Sequence, residues 1–571
     1  MRYTFSIPQP FERFAKICFE VSGPFNDGVL ELVLPSWRPG RYEMGHFARN
    51  IRGFRPYDVA GNLLEFKKIS KDRWVIFPAF DPVVRIEYEY YSNQPDAGAC
   101  FVDHDQLYVN PVHCCFFIPG REKEPCEVVL DVPKAWKVAT GLQKQSDRVF
   151  SAKDFDTLVD SPIIASAGLQ HGSYVLDGVE FNVWFNGDCV PDWSRIITDF
   201  EAFTRVQLDM MEGFPTRDFH FLIQMLPYRF YHGVEHLNST VLALGPGTEL
   251  MKDEYYKELL GVASHELFHC WNVKTIRPKE MMPYDYTKEN YSRSGYVYEG
   301  VTTYYGDLIL GRSKFFSLDE MLAEFADRLQ RHMDNPGRFN QSVADSSFDT
   351  WLDGYVPGIP GRKVSIYDEG CLIAWMLDFM IRSATSSDKS LDDVMLQLNQ
   401  HFGMRGVGYS ESDFRMLCEK IAERDFESFF NKVVDAPNTM IDLLRETISL
   451  AGLGIERIDS SIPFEKHFGA RLSGSRLKSV FPGSPAWFAG LVLDDEILEV
   501  DGKLVAGDPN ALVSIDLTPG SSVKIVRNSF GKTKTCELKV TEETWCPRFR
   551  IFSDVLVTES QLHFRQSWLG N

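Results

Sequence analysis

Long apolar runs are missing from this chain. No stretch approaches the roughly eighteen uninterrupted apolar residues that a membrane-spanning helix needs, so we expect no transmembrane segment and no membrane partner. The first residues, MRYTFSIPQPFERF, lack a basic segment followed by an apolar one, so we expect no signal peptide. Internal repeats and low-complexity tracts are also missing from the sequence.

Positive charge is scarce. Lysine and arginine total 60 against 80 aspartate and glutamate residues, which gives a formal net charge of −20 without any long basic run. A nucleic-acid partner requires a basic surface that neutralises phosphates, so we expect no nucleic-acid function. A substrate that carries an ammonium group would be weakly attracted to such an acidic protein.

Paired cysteine motifs are missing as well. The eleven cysteines are an odd number, lie scattered along the chain, and form no CxxC pair. This usage favours reduced, buried thiols over a disulfide framework, and it predicts a cytoplasmic protein.

The chain contains enough apolar residues to form several hydrophobic cores. At 571 residues it is too long for one core, and its 44% hydrophobic and 25% charged residues are typical of globular proteins. Residues 1–170 predict an antiparallel β-sandwich domain, because segments such as 84–90 alternate apolar and charged residues. The predicted fold class is therefore multidomain α+β, with helices and further strands following this β-domain.

Residues 171–450 predict a mostly helical domain with one strand near residues 219–225. Capping boxes at Ser317 with Glu320 and at Ser390 with Asp393 mark two helix starts, and the apolar segment 370–382 predicts a buried helix. Strands return in residues 455–542 around a short helix at 485–490, with Asp501-Gly502 as a hairpin turn. Residues 543–571 are treated as a C-terminal tail.

The segment His265-Glu266-Leu267-Phe268-His269 is an HExxH motif. On a helix, residues four apart lie on one face, so both imidazoles can bind one metal ion. Glu266 is rotated by about 100° and can accept a proton from a metal-activated water. The pentapeptide also occurs by chance on solvated helices, so its interpretation depends on a third ligand.

That third ligand is predicted to be Glu299, thirty residues after His269 in the segment YEGVTTYYGD. Catalytic zinc takes three protein ligands and leaves a position open, and a glutamate in an apolar, aromatic helix is costly to bury unless it is paired. The alternative is an exposed glutamate that is favoured by the helix dipole. We expect one zinc ion per chain, bound by His265, His269 and Glu299.

The segments HELFHCWNVKTIRP and YEGVTTYYGDL resemble the glycyl aminopeptidase family of gluzincin zinc metallopeptidases. The resemblance extends to LPSWRPG at residues 34–40 and FARNI at residues 47–51. It implies a thermolysin-like catalytic domain at 171–450, an N-terminal β-domain, and removal of an N-terminal residue, glycine or alanine above all, from peptides with a free N-terminus. Glu266 would act as the general base.

The resemblance implies two more functional positions. Gly233 and Glu235 occupy the place of an exopeptidase motif on an edge strand, whose glutamate would pair with the substrate's α-ammonium group; a solvent-exposed glutamate is the alternative. His236 stands where larger relatives carry asparagine. Tyr367 resembles a tyrosine that donates to the oxyanion, although Glu369 stands where lysine is common; a buried structural tyrosine is the alternative.

Other residues near the motif have simpler interpretations. Lys274 and Arg277 follow the HExxH helix, and we expect them to neutralise its C-terminal dipole. Trp271 and Asn272 could orient a metal ligand, but core packing is the favoured interpretation.

Residues 455–542, with FPGSPA, AGL and DEILEVDG, resemble a PDZ domain. Such a domain would bind a peptide C-terminus by strand addition, or it would serve in docking or self-association. Three functions follow: a zinc aminopeptidase, an endopeptidase or other zinc hydrolase, and a PDZ scaffold with an inactive peptidase domain. The intact HExxH, Glu299 and Tyr367 favour the aminopeptidase.

Overall fold

The computed structural model describes the chain except residues 26–27, 79–81, 357, 506–511, 513–514, 516 and 571. Its first part is rich in strands, with two short helices. These elements are β1 (Arg2–Ser6), β2 (Phe14–Ser22), β3 (Leu30–Val33), β4 (Ile51–Tyr57), β5 (Glu65–Ser70), β6 (Arg73–Phe77), β7 (Val83–Tyr91), β8 (Phe101–Val102), β9 (Gln106–Val109), α1 (Pro111–Cys114), β10 (Cys126–Asp131), β11 (Lys137–Thr140), β12 (Gln143–Ser146), β13 (Val149–Ala152), α2 (Phe155–Val159) and β14 (Ile163–Ser166).

The strands of this N-terminal region form three sheets that share one core. The largest has the order β12-β13-β10-β1-β2-β7-β4, and the smaller two are β11-β14-β9-β8 and β3-β6-β5. Pairing is antiparallel as expected, except that β1 and β10 run parallel. The alternation predicted for residues 84–90 is confirmed in β7, where Val84, Ile86, Tyr88 and Tyr90 are all buried.

The second part combines one mixed sheet with a group of helices. Its strands and helices are β15 (Gln170–Leu176), β16 (Val179–Asn186), α3 (Trp193–Met211), β17 (Asp218–Met225), β18 (Phe230–Glu235), β19 (Ser239–Gly245), α4 (Asp253–Phe268), α5 (Thr302–Arg312), α6 (Leu318–Asp334), α7 (Val343–Phe348), α8 (Thr350–Asp353), α9 (Asp368–Ala384), α10 (Leu391–His401), α11 (Glu411–Ala422), α12 (Glu427–Phe429) and α13 (Ile441–Ile448).

The sheet of this region has the order β15-β16-β17-β19-β18, so β18 is an edge strand. The sheet was only partly predicted: β17 lies at the expected strand near residues 219–225, but β15 and β19 were not predicted. The inner strands β17 and β19 are buried on both faces, since consecutive residues such as Leu222 and Ile223 are both buried, and so they lack the alternation that marks a half-exposed strand. The predicted edge strand with Glu235 at its end is confirmed.

The helical predictions for this region hold in detail. Both capping boxes are present: the Ser317 and Ser390 side chains accept backbone N–H groups of the first turn, and Glu320 and Asp393 reach back to the cap. The apolar segment 370–382 lies within α9, which is buried along nearly its whole length. This helix forms the centre of the helical core.

The third part is a small sheet with its own core, inserted between two paired strands. Its elements are β20 (Leu453–Ile458), α14 (Pro463–Phe468), β21 (Ala470–Ser473), β22 (Arg476–Val480), α15 (Pro485–Phe488), β23 (Glu496–Val500), β24 (Lys503–Leu504), β25 (Ser522–Ser529), β26 (Lys532–Lys539), β27 (Arg548–Ser553) and α16 (Glu559–Leu569). The predicted strands, short helix and Asp501-Gly502 turn are present. The PDZ assignment stays a prediction, and residues 506–511, 513–514 and 516 of it lie outside the described residues.

The segment 543–571, predicted to be a tail, returns to the helical core. Strand β27 pairs with β20 along its length, and α16 follows it. Trp568 is fully buried, its ring stacks 5.8 Å from that of Trp375, and its indole N–H donates to the Tyr304 hydroxyl at 2.8 Å. The contact could not be predicted from the mixed sequence of this segment, because its apolar residues pack against helices that lie more than 180 residues earlier in the chain.

All eleven cysteines, every one of them in the described part of the chain, are free thiols, and nine are buried. Within the described residues, no helix combines the length and the apolar character needed to cross a bilayer.

Replacing Trp568 by alanine tests the role of the C-terminal helix. We expect Trp568→Ala to lower the free energy of unfolding by about 3–5 kcal/mol, because a large buried side chain and its hydrogen bond are both lost. Leu556→Ala is the matched control, since Leu556 is 92% exposed in the same segment, and its effect is expected within about 0.5 kcal/mol. Denaturant titration followed by circular dichroism measures both, and equal stability of the two variants would contradict the packing of α16.

Candidate metal centre and active site

The two histidines of the HExxH motif project from the last turn of α4. The helix ends at Phe268, and His269 is the residue that caps it. The Nε2 atoms of His265 and His269 lie 3.0 Å apart. The Nδ1–H of His269 donates to the carbonyl of Asn272 at 2.6 Å, which leaves the Nε2 lone pair directed at its neighbour. Asn272 therefore orients a ligand through its backbone, while its side chain bonds to Val297 and Thr302.

Glu299 lies opposite these imidazoles in a π-helical turn, Tyr296–Val301, that leads into α5. Its Oε2 is 3.5 Å from His269 Nε2 and 4.0 Å from His265 Nε2. The residue is 2% exposed, so the alternative of a solvent-exposed glutamate at a helix start is wrong. Single π-turns inside helices are frequent at functional sites, because they rotate one side chain out of the helical register.

Tyr42 of the N-terminal region fixes the orientation of Glu299. Its hydroxyl donates to Glu299 Oε1 at 2.8 Å, so Oε2 is the oxygen left facing the histidines. The Tyr42 ring is buried between Tyr298 and Trp351. A hydrogen bond of this kind to a ligating carboxylate is how proteins hold a metal ligand in place.

The donor set fits a zinc ion. Two imidazole nitrogens and one carboxylate oxygen, all within 4.8 Å of one another, are the ligands that zinc uses in catalytic sites. Tetrahedral ligands about 2.0–2.1 Å from an ion are about 3.3 Å apart, which is close to the separations measured here. The short contact between two imidazole lone pairs is also repulsive unless a cation lies between them.

Two further carboxylates face the same place. Glu266 and Glu235 are buried, and together with His269 their ligand atoms lie within 4.8 Å of one another. Among the described residues, neither Glu235 Oε1 nor Glu266 Oε2 has a hydrogen-bond partner. Burial raises the pKa of Glu266; the nearby His269 opposes this shift and the Glu235 carboxylate adds to it. A raised pKa suits a group that must accept and then release a proton.

Two glycines allow these carboxylates to approach the neighbouring backbone. A Cβ atom at Gly233, on the edge strand β18, would overlap the Glu266 carboxylate. A Cβ atom at Gly40 would overlap the Glu235 carboxylate, and Gly40 also has a φ of 78° that other residues rarely adopt. The alternative of a solvent-exposed Glu235 is wrong, since this residue is 4% exposed.

Tyr367 lies directly before α9, and its hydroxyl is 3.2 Å from that of Tyr355. Burial raises the pKa of Tyr367, and the Glu299 carboxylate adds to this effect, so its hydroxyl keeps its proton at neutral pH. Glu369 points away from the site, because its carboxylate contacts His332 Nδ1 at 3.0 Å. Glu369, which stands where lysine is common in related sequences, therefore makes a structural contact with His332 and does not face the cavity.

Lys274 does not act on the helix dipole as expected. Its ammonium pairs with Asp160 at 2.7 Å, and the same carboxylate contacts His236 Nδ1 at 3.1 Å and accepts from the Leu237 N–H at 3.0 Å. Burial alone would raise the pKa of Asp160, but Lys274 and His236 lower it well below its usual range. Arg277 instead lies 3.8 Å over the Tyr284 ring. Asp160 therefore connects the N-terminal region both to Lys274, which follows the HExxH helix, and to Leu237, which follows β18.

One cavity of about 780 Å³ brings all the predicted site residues together. The predicted members that line it are Gly233, Glu235, His265, Glu266, His269, Glu299 and Tyr367. Sequence reasoning missed its N-terminal wall, Arg38, Gly40 and Arg41, as well as Tyr355. The segment LPSWRPG at residues 34–40 was the available signal, but it was interpreted only as a marker of the β-domain.

Replacing Tyr42 by phenylalanine tests the orientation of Glu299. We expect Tyr42→Phe to weaken zinc binding about 10- to 100-fold, because the hydrogen bond to Glu299 is lost while the ring is kept. Tyr298→Phe is the matched control: it is the neighbouring buried tyrosine, and its hydroxyl makes no hydrogen bond within the described residues. Competition with a chromogenic chelator measures both affinities. Equal affinities in both variants and the unmodified protein would show that Tyr42 does not support the ligand.

Known proteins resemble the chain in sequence and in fold. The family model described as "Peptidase M61 N-terminal domain" matches residues 2–167, and "M61 glycyl aminopeptidase" matches residues 258–373. No curated protein matches the chain. The structure of an aminopeptidase N family protein from Idiomarina loihiensis is 26% identical, with a TM-score of 0.90, and the alignment covers 100% of this chain and 99% of that one.

An M1 zinc metallopeptidase from Deinococcus radiodurans is 14% identical, with a TM-score of 0.47, over 76% of this chain and 93% of that one. The two family matches and the Idiomarina structure carry the assignment, and they extend over the N-terminal β-rich region and the metal centre. These matches give the chain an M61 N-terminal domain at residues 2–167 and an M61 glycyl aminopeptidase domain at residues 258–373, and they identify it as a zinc metallopeptidase.

Proposed function

We propose that this zinc aminopeptidase removes single residues, glycine and alanine above all, from peptides with a free N-terminus. The observation that carries the proposal is Glu235, whose carboxylate is buried at the end of the edge strand β18 without a hydrogen-bond partner for Oε1 among the described residues. A buried anion of this kind requires a cation, and a substrate's α-ammonium group supplies one. The preference for glycine rests on the family description, and alanine is included because its side chain is the next smallest.

The metal-binding residues, Glu266 and Tyr367 would each have a distinct role in this reaction. His265, His269 and Glu299 would hold zinc, which would supply Lewis-acid activation of the scissile carbonyl and of the attacking water. Glu266 accepts the proton of the attacking water and passes it to the departing amine. Tyr367 donates a hydrogen bond to the oxygen that becomes negative in the transition state. The raised pKa values of Glu266 and Tyr367 support both roles.

The edge strand sets where the peptide is cut. The outer edge of β18 carries no paired strand within the described residues, so an extended peptide can lie along it. With its ammonium at Glu235, the peptide runs back along the strand past Gly233, where the Glu266 carboxylate lies. The distance between the two carboxylates then corresponds to one residue, which favours aminopeptidase over endopeptidase action.

The small C-terminal sheet would serve a separate role. We propose that it binds extended peptide segments or mediates docking, in agreement with its resemblance to a PDZ domain. Arg471 of β21 pairs with Asp334 of α6 at 2.8 Å, which supports a fixed attachment to the catalytic helices.

Blocking the substrate amine tests the role of Glu235. One alanyl peptide is compared in its free and N-acetylated forms, and the unmodified enzyme is expected to cleave only the free form. Glu235→Ala is expected to lower kcat/KM for the free peptide about 10- to 150-fold, the range of one charge-assisted hydrogen bond.

Glu254→Ala is the matched control, because Glu254 is an exposed carboxylate at the rim of the same cavity, and we expect it to change kcat/KM little. Zinc content is measured in each variant to separate loss of metal from loss of binding. Equal cleavage of the free and acetylated peptides by the unmodified enzyme would exclude an aminopeptidase and leave an endopeptidase.

A further inference from the structure

Arg38 is a buried cation in the wall of the active-site cavity. The residue is 4% exposed, it lines the cavity, and its guanidinium covers Gly98 so closely that a Cβ atom there would overlap it. Within the described residues, no carboxylate lies within 4.0 Å of this guanidinium, and its Nη1 donates only to the Pro39 carbonyl at 3.2 Å. A buried guanidinium with so few partners is costly unless an anion joins it.

The nearby carboxylate of Asp96 is already engaged. Its oxygens accept hydrogen bonds from the Gln94 side chain and, at 2.8 Å, from the Gly98 N–H. The second arginine of the wall, Arg41, is also paired, because its guanidinium donates to Glu43 and lies 5.3 Å from the centre of the Tyr355 ring. Of these two wall arginines, Arg38 is therefore the one that pairs with no carboxylate among the described residues.

The place of Arg38 along the edge strand indicates which part of a substrate it meets. In β18, His232 comes before Gly233 and Glu235, so it lies on the side toward which a bound peptide continues after its first bond. Burial lowers the pKa of His232 to about 4, and the charge of Arg38 is the next cause of that shift. Arg38 and His232 line the same cavity, and the effect of the Arg38 charge on His232 indicates that the two side chains lie near each other.

We infer that Arg38 binds a carboxylate of the substrate on the C-terminal side of the bond that is cut, an inference that rests on the proposed aminopeptidase function. The carboxylate belongs either to the C-terminus of a short peptide or to an aspartate or glutamate side chain after the first residue. A guanidinium pairs with a carboxylate through two parallel hydrogen bonds, and this geometry suits both sources. With Glu235 for the ammonium and Arg38 for the carboxylate, the cavity would recognise both charged ends of a short substrate.

The test compares matched peptides that differ in one charge. Alanine peptides of two, three and four residues are assayed as free acids and as C-terminal amides, and Ala-Asp-Ala-amide is assayed against Ala-Asn-Ala-amide. The quantity measured is the ratio of kcat/KM within each pair, so that a partial loss of folded enzyme cancels. The first set reports a C-terminal carboxylate, and the second set reports a side-chain carboxylate.

We expect the unmodified enzyme to favour the charged peptide about 10- to 150-fold in at least one set. In Arg38→Gln that ratio falls to near one, and Arg38→Lys, which keeps the charge but not the paired hydrogen bonds, gives an intermediate ratio. Arg41→Gln is the matched control and keeps the ratio of the unmodified enzyme, because the Arg41 guanidinium is already bound to Glu43.

Two outcomes would overturn the inference. The first is a ratio near one in both sets for the unmodified enzyme, and the second is a ratio that stays high in both Arg38 variants. Either result, obtained with an enzyme that cleaves free-amine peptides, removes the role of Arg38 and leaves the aminopeptidase function intact. If the unmodified enzyme cleaved none of these peptides, the proposed function itself would fail and the inference with it.

Discussion

Three carboxylates, Glu235, Glu266 and Glu299, are buried around one cavity, and the cost of burying that negative charge governs the rest of the site. The imidazoles of His265 and His269 lie close enough to these carboxylates to bind one cation together with them. A metal ion between the imidazoles and Glu299 would offset part of the charge, and the proposed substrate ammonium at Glu235 would offset more. The same excess of buried negative charge would therefore favour the binding of both the metal ion and the substrate.

The N-terminal region is part of the catalytic machinery and not only a separate domain beside it. Tyr42 orients Glu299, Gly40 makes room for Glu235, and Arg38 forms one wall of the cavity. Asp160, also from this region, joins Lys274 after the HExxH helix to the end of β18. Removing one partner of a buried ion pair strongly destabilises a protein. We therefore interpret the Asp160–Lys274 pair as the link that keeps the edge strand β18 in register with the metal centre.

The metal ligands could be predicted because local spacing determines them. Two histidines four residues apart on a helix share a face whatever the fold, and a glutamate among buried aromatic residues needs a partner. Tyr42 could not be predicted in this way, since 257 residues separate it from Glu299 and no periodicity reports such a contact. Lys274 was misinterpreted for the same reason: its partner Asp160 lies 114 residues earlier in the chain. The buried strand β19 was missed because both of its faces are covered and its residues do not alternate, and α16 was missed because only two of its residues, Phe564 and Trp568, are buried.

We propose that His265, His269 and Glu299 hold one zinc ion while Glu266 moves the proton. The most direct measurement is the zinc content of purified protein, determined together with turnover, for the unmodified enzyme, His269→Ala and Glu266→Gln. The account predicts about one zinc per chain in the unmodified enzyme, loss of zinc in His269→Ala, and retained zinc in Glu266→Gln with turnover reduced about 10²- to 10⁴-fold. Full zinc occupancy in His269→Ala, or near-normal turnover in zinc-loaded Glu266→Gln, would contradict it.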